Sequence, residues 1–119
     1  MNIQLEKRGE VDIVRPVGRL DSVTSEVFTR AVAEVFDRGS RLMVLDFSLI
    51  EYVSSAGLRS TLLAGKRMRS VPGGKLALCA FAPGVREIFE ISGFLAIFTV
   101  GTDLEAALAL LGAGAPAAG

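Results

Sequence analysis

Apolar and polar positions alternate at the start of the chain and then change period. Ile3 and Leu5 share one side of a first short run. After the polar turn Lys7-Arg8-Gly9-Glu10, Val11, Ile13, Arg15 and Val17 alternate with Asp12, Val14 and Pro16. Two period-2 runs around a short turn predict a β-hairpin. Pro16 has no N–H to give a ladder, so it is expected at a strand end or edge. Gly18-Arg19-Leu20-Asp21-Ser22 ends the second strand, and from Ser25 to Arg38 the period becomes helical. Phe28, Ala31, Val32, Val35 and Phe36 form one face, with Glu26, Arg30, Glu34, Asp37 and Arg38 opposite. Asp21, Ser22 and Thr24 are candidate caps, and Gly39 is a candidate C′ residue.

The centre of the pattern is Arg41 to Ser70. Leu42-Met43-Val44-Leu45, bounded by Gly39-Ser40 and Asp46, has the length and punctuation of a strand buried on both faces. Eight less regular residues follow, and Ser54-Ser55-Ala56-Gly57-Leu58 then opens a helix reaching about Arg69, before Val71-Pro72-Gly73-Gly74. Leu58, Thr61, Leu62, Ala64, Gly65 and Met68 share its apolar face. Arg59, Lys66, Arg67 and Ser70 lie on the other, with Leu63 isolated among them as a candidate surface contact. Lys75 to Ala80 reads as a buried strand. Pro83 starts a helix that buries Val85, Ile88 and Phe89 and stops at Ser92-Gly93. Phe94 to Val100 is apolar and ends in a short strand. Thr102 and Glu105 have capping-box spacing and open a last helix with Leu104, Ala107, Leu108 and Leu111 inward. Gly112 to Gly119 is Gly, Ala and Pro without pattern and is expected to be a disordered tail.

The order ββαβαβαβα over residues 1–111 predicts a single α/β domain with a mixed central sheet and packed helices. In such sheets, partners favour the loops at the carboxyl ends of parallel strands. Gly18–Ser22 and Ser54-Ser55 both occupy such loops if the second and third strands run parallel.

Composition narrows the chemistry. Thirteen basic and thirteen acidic residues cancel, which gives no overall electrostatic claim on nucleic acid or anionic lipid. There is no histidine, which removes the commonest general base and metal ligand. The single cysteine, Cys79, lies in the apolar run Leu76 to Ala80 and is expected to be a buried small hydrophobe. Ser54-Ser55-Ala56-Gly57 lacks the GxSxG frame of a nucleophile elbow, and Gly73-Gly74-Lys75 lacks the spacing of a P-loop. No enzyme activity, cofactor or metal is therefore expected. No signal-peptide core and no apolar run of ~18 residues is present, so the expected location is the cytoplasm, without membrane contact. No exposed edge or heptad is legible, and a monomer is expected.

A serine at a helix start is ordinarily a cap. It is also a position that tolerates phosphate, because free backbone N–H groups and the helix dipole favour negative charge there. Phosphate at Ser55 would leave the helix standing and act outward on a docked partner.

Asp46-Phe47-Ser48-Leu49-Ile50-Glu51-Tyr52-Val53-Ser54-Ser55-Ala56-Gly57-Leu58 resembles the signature of STAS-domain anti-sigma factor antagonists. Gly18-Arg19-Leu20-Asp21 resembles the family's Gly-x-Leu-Asp, and Gly74-Lys75-Leu76 through Cys79, then Pro83, Val85, Phe89 and Ser92-Gly93, resemble its later half. The resemblance implies a partner switch. The unphosphorylated antagonist binds an anti-sigma factor that is also a serine kinase. Phosphorylation ends the complex, and a PP2C-type phosphatase restores it. It implies Ser55 as phosphoacceptor, with Ser54, which stands at the motif's Asp position, as competitor. Ala56 replaces the motif's second hydroxyl residue, and Asp21 falls at a position that contacts the kinase. The implied docking surface comprises Gly18, Arg19, Asp21 and Ser22 with Ser54, Ala56, Gly57, Arg59, Leu63, Lys66 and Arg67. The alternatives are a STAS module of a stress-signalling scaffold or lipid-transport complex in which Ser55 only caps, a hydrolase using Ser55, and a nucleotide-binding module.

Overall fold

The alternating first twenty residues form the expected hairpin. In the computed structural model, which describes residues 1–112, β1 (Asn2–Arg8) and β2 (Val11–Leu20) pair antiparallel from Asn2↔Val17 to Arg8↔Val11. Gly9, at φ +61°, supplies the left-handed turn residue between them. The chain continues through α1 (Thr24–Asp37), β3 (Leu42–Asp46), β4 (Ile50–Val53), α2 (Ser55–Arg69), β5 (Lys75–Cys79), α3 (Pro83–Ile91), a 3₁₀ turn at Phe94–Ala96, β6 (Thr99–Gly101) and α4 (Leu104–Leu110). The sheet order is β1-β2-β3-β5-β6, and every pairing after the hairpin is parallel. The expected mixed α/β sheet is present. The expected tail, apart from Gly112, lies outside the described residues.

Three local expectations are corrected. The stretch read as irregular holds β4, whose Ile50, Tyr52 and Val53 pair with Gly18, Arg19 and Leu20 of β2. Pro16 lies inside β2 and is buried, away from any strand end. β2 pairs with β3 over Val11–Val14 and with β4 from Gly18 onward. Pro16 falls in the gap between these ladders, where its missing N–H costs no bond on that side. The last helix is capped by Asp103, whose Oδ1 accepts the Ala106 N–H at 2.8 Å, instead of by Thr102. Glu105 turns away to bond the Arg8 guanidinium at 2.8 Å, so the reciprocal capping box does not form.

Alternation in the buried strands feeds two cores. Val14, Met43, Leu45, Leu76 and Leu78 join Phe28, Val32, Met68, Val85 and Phe89 from α1, α2 and α3. Val11, Ile13, Val44, Ala77 and Cys79 face Ala107, Leu108 and Leu111 on the other side. Cys79 is buried, and desolvation, helped by the nearby Asp46 charge, pushes its thiol up to about 12. At physiological pH it is an uncharged filler. Asp46, also buried, accepts a 2.9 Å bond from Arg15 Nε and another of 2.9 Å from the Ser48 N–H. This bond raises the Arg15 pKa, and Arg15 stays cationic. Asp46 thereby ties β2 to the end of β3 and fixes the turn that leads into β4.

Candidate functional site

The parallel pairing of β2 and β4 brings their carboxyl ends together, and two loops meet there. The Ser54 N–H donates to the Leu20 carbonyl at 2.9 Å, which holds Ser54 in an extended conformation. In that conformation its Oγ accepts the Gly57 N–H at 3.3 Å. Ser54 is the cap of α2. Ser55, the first residue of the helix, is exposed. The paired serines thus have separate roles. Replacing Ser54 by Ala is expected to cost about 1 kcal/mol of stability, read by urea unfolding, while Ser55→Ala is expected to stay within about 0.5 kcal/mol of wild type. An unchanged midpoint in Ser54→Ala together with a loss in Ser55→Ala would reverse the assignment of the cap.

Close packing fixes where α2 begins. A Cβ at Gly57 would lie 2.7 Å from the Leu20 carbonyl oxygen and 2.9 Å from both Leu20 Cγ and Val53 Cγ1. Gly57 is buried, so its place is against β2 and β4, and it offers no side chain to a partner. Gly57→Ala is expected to lose about 1–3 kcal/mol through overpacking, because backbone has to move. A denaturation midpoint equal to that of wild type would show that the contact yields freely.

The second loop is held by Asp21. Its Oδ1 accepts the Val23 and Thr24 N–H groups, both at 3.0 Å, and caps α1 from ahead of the helix. The Thr24 bond is the main cause that holds the Asp21 carboxyl below its usual pKa. The Thr24 hydroxyl donates to the Arg19 carbonyl at 2.6 Å and accepts the Asp21 N–H at 2.9 Å. Arg19 sits over the Tyr52 ring at 4.3 Å, across the β2–β4 ladder. Ser22 and Arg19 are exposed beside this loop, and Gly18 is half-buried where the β2–β4 register shifts.

Between α1 and α2 runs an open groove of about 660 Å³, with Ser55 in its wall. Glu26, Thr29 and Arg30 line it from α1, and Ala56, Arg59 and Leu63 from α2. Thr29 and Ser60 join its walls through a 3.1 Å hydroxyl–hydroxyl bond. Leu63 is 48% exposed on this surface. The structure therefore gathers Ser55, Ala56, Arg59 and Leu63 on one groove, with Arg19, Asp21 and Ser22 on the neighbouring loop and strand. It does not bring Lys66 and Arg67 to Ser55: they lie roughly 17 Å further along the helix axis. Arg67 instead meets Asp37 at 3.5 Å and covers Phe36 at 4.7 Å, at the far end of α1.

Sequence reasoning missed Val23, which is 73% exposed on the Asp21 loop, and Leu49 and Tyr52, which are exposed around β4. The available signal for Val23 and Leu49 was an apolar residue inside a loop at the carboxyl edge of the sheet, whereas Tyr52 lies within β4. Among the described residues, no group of His, Cys, Asp and Glu could hold a metal ion. No helix there is long and apolar enough to cross a membrane.

Comparison with known proteins fits this geometry to a family. The chain is 43% identical over 109 residues to BtrV of Bordetella bronchiseptica, which bears the name of an anti-sigma factor antagonist; the match covers 92% of this chain and 93% of that one. It is 28% identical over 101 residues to the anti-sigma F factor antagonist of Paenibacillus polymyxa, covering 84% and 86% of the two chains. An anti-sigma factor antagonist from Mycobacterium paratuberculosis has a similar solved structure, with TM-score 0.86, 22% identity and 92% of each chain covered. The STAS domain profile matches residues 2–107, and the chain belongs to the STAS-domain family.

Proposed function

We propose that this protein is an anti-sigma factor antagonist that works by partner switching, with Ser55 as its phosphoacceptor. One observation carries the site: Ser54 takes the capping role, which leaves the Ser55 hydroxyl exposed on the wall of the α1–α2 groove. The names borne by relatives over nearly the whole chain support the functional class. In the unphosphorylated state the groove and the Arg19–Val23 loop receive an anti-sigma factor with serine kinase activity, which releases its target. ATP-dependent phosphorylation of Ser55 then ejects the kinase, and a PP2C-type phosphatase resets the switch. The chain itself performs no catalysis in this scheme.

The fold suits that task. Phosphate at the first residue of α2 gains about 0.3–1 kcal/mol from the helix dipole, so the modified protein keeps its shape. Its added charge, about −1.5 to −2, is instead felt by whatever covers the groove.

Capture from native lysate with wild-type, Ser55→Ala and Ser55→Asp baits, followed by mass spectrometry, tests this reading. Wild type and Ser55→Ala are expected to retain a kinase that Ser55→Asp loses. Equal capture by all three would leave the STAS fold without a switch at Ser55, as in a scaffold module.

A further inference from the structure

The expectation of a monomer rested on the lack of a legible edge strand, and the structure has one. β1 ends the sheet order, and among the described residues its outer edge has no strand partner. Seven residues long, it is not shortened in the manner that blunts natural edges. Its charges are confined to Glu6, Lys7 and Arg8, and the first half is uncharged. Ile3 and Leu5 lie on the α1 side, where with Val27 and Ala31 they line an open groove rimmed by Arg30 and Glu34. Leu5 is 52% exposed.

We propose that a second copy of this chain covers the groove by antiparallel β1–β1 pairing about a two-fold axis at Gln4. In that register Ile3 faces the second copy's Leu5, Asn2 faces its Glu6, and Gln4 faces its own counterpart. Directly opposed residues share a face of the sheet, so each apolar side chain meets an apolar one. An axis at Ile3 also matches apolar residues but pairs only residues 1–5 of each copy, and the other neighbouring registers are worse. An axis at Leu5 sets Lys7 against Ile3, and an axis at Glu6 sets two carboxylates face to face, which is destabilising. A register shifted by one residue places Ile3 opposite Glu6. Antiparallel α1 helices on the same side of the joined sheet bring the Arg30 end of one copy toward the Glu34 end of the other. The Ser55 groove uses a different flank of α1, with Arg30 alone lining both. A dimer therefore carries two switch sites, and this inference does not depend on the proposed function.

Sedimentation equilibrium of the full chain tests it, together with two cysteine variants. Wild type is expected to double in mass as concentration rises. Leu5→Lys, at an exposed position, is expected to stay monomeric with an unchanged circular dichroism spectrum. Under mild oxidation Gln4→Cys is expected to cross-link, since opposed strand residues lie within disulfide reach. Asn2→Cys is not, because its counterpart sits about 13 Å away along the strands. The native Cys79 is buried and does not compete. A wild type that remains monomeric at every concentration, mass doubling that survives Leu5→Lys, or cross-linking that does not favour Gln4→Cys over Asn2→Cys would each overturn the proposal.

Discussion

Replacing Ser55 by Asp is expected to weaken binding of the captured kinase partner by about 30- to several-thousand-fold, with Ser55→Ala close to wild type and both variants fully folded. The range follows from leaving one charge buried and unpaired at an interface, about 2–5 kcal/mol, with each 1.4 kcal/mol a factor of ten. It depends on Ser55 lying under the partner. Its position on the wall of the α1–α2 groove, which the exposed Leu63 also lines, supports that placement. Moving a complex from almost complete to almost absent takes about 5.5 kcal/mol. A single carboxylate approaches that figure, and phosphoserine brings more charge, about −1.5 to −2. Phosphorylated protein is therefore expected to bind more weakly still than Ser55→Asp. Titration calorimetry measures all four species. Ser55→Asp binding within threefold of wild type would place Ser55 at the rim of the interface and remove the mechanism.

The largest stability loss from one side chain is expected at Phe47. Its ring is fully buried and meets Phe28 at 6.2 Å, Phe81 at 5.7 Å and Phe89 at 5.8 Å, all edge-to-face. It thus joins α1, the loop after β5 and α3 at the end of the sheet that carries the site. Phe47→Ala removes the shared partner of three rings and opens a cavity, at a cost of about 3–5 kcal/mol. Against a typical domain stability of about 5–15 kcal/mol, that is a large share. Leu63→Ala, on the exposed face of α2, is the control and is expected to fall within about 0.5 kcal/mol of wild type. Urea unfolding of both variants checks the pair. A Phe47→Ala loss below about 1 kcal/mol would mean that the aromatic cluster collapses around the gap. Phe47 also follows Asp46 and precedes β4, so its loss is expected to loosen the strand that delivers Ser54 and Ser55. Partner binding should weaken as well, by less than in Ser55→Asp.

Much of this was legible in the chain because it is written locally. The helices over Thr24–Asp37 and Ser55–Arg69 follow from apolar spacing, and the buried strands Leu42–Asp46 and Lys75–Cys79 from short apolar runs between turn residues. What was missed depends on partners distant in sequence. β4 is four residues long, with Ile50 and Val53 buried and Glu51 and Tyr52 exposed, which is not a period-2 pattern. It is a strand because the end of β2 lies beside it. Pro16 is tolerated inside β2 for the related reason that β2 changes neighbours there. The free edge of β1 depends on which strand is outermost, and no local pattern records that.

The candidate site divides in the same way. By itself the sequence determined that a hydroxyl pair opens a helix after a parallel strand, that no histidine is available for catalysis, and that the surrounding residues resemble a family signature. It could not separate Ser54 from Ser55, because adjacent serines have the same local chemistry. Tertiary structure decided between them. The bond from the Ser54 N–H to the Leu20 carbonyl holds Ser54 extended and turns its hydroxyl to the helix, and the contact of Gly57 with Leu20 and Val53 fixes where that helix starts. Ser55 is left on the wall of the groove because Leu20, distant in sequence, holds its neighbour Ser54 in place.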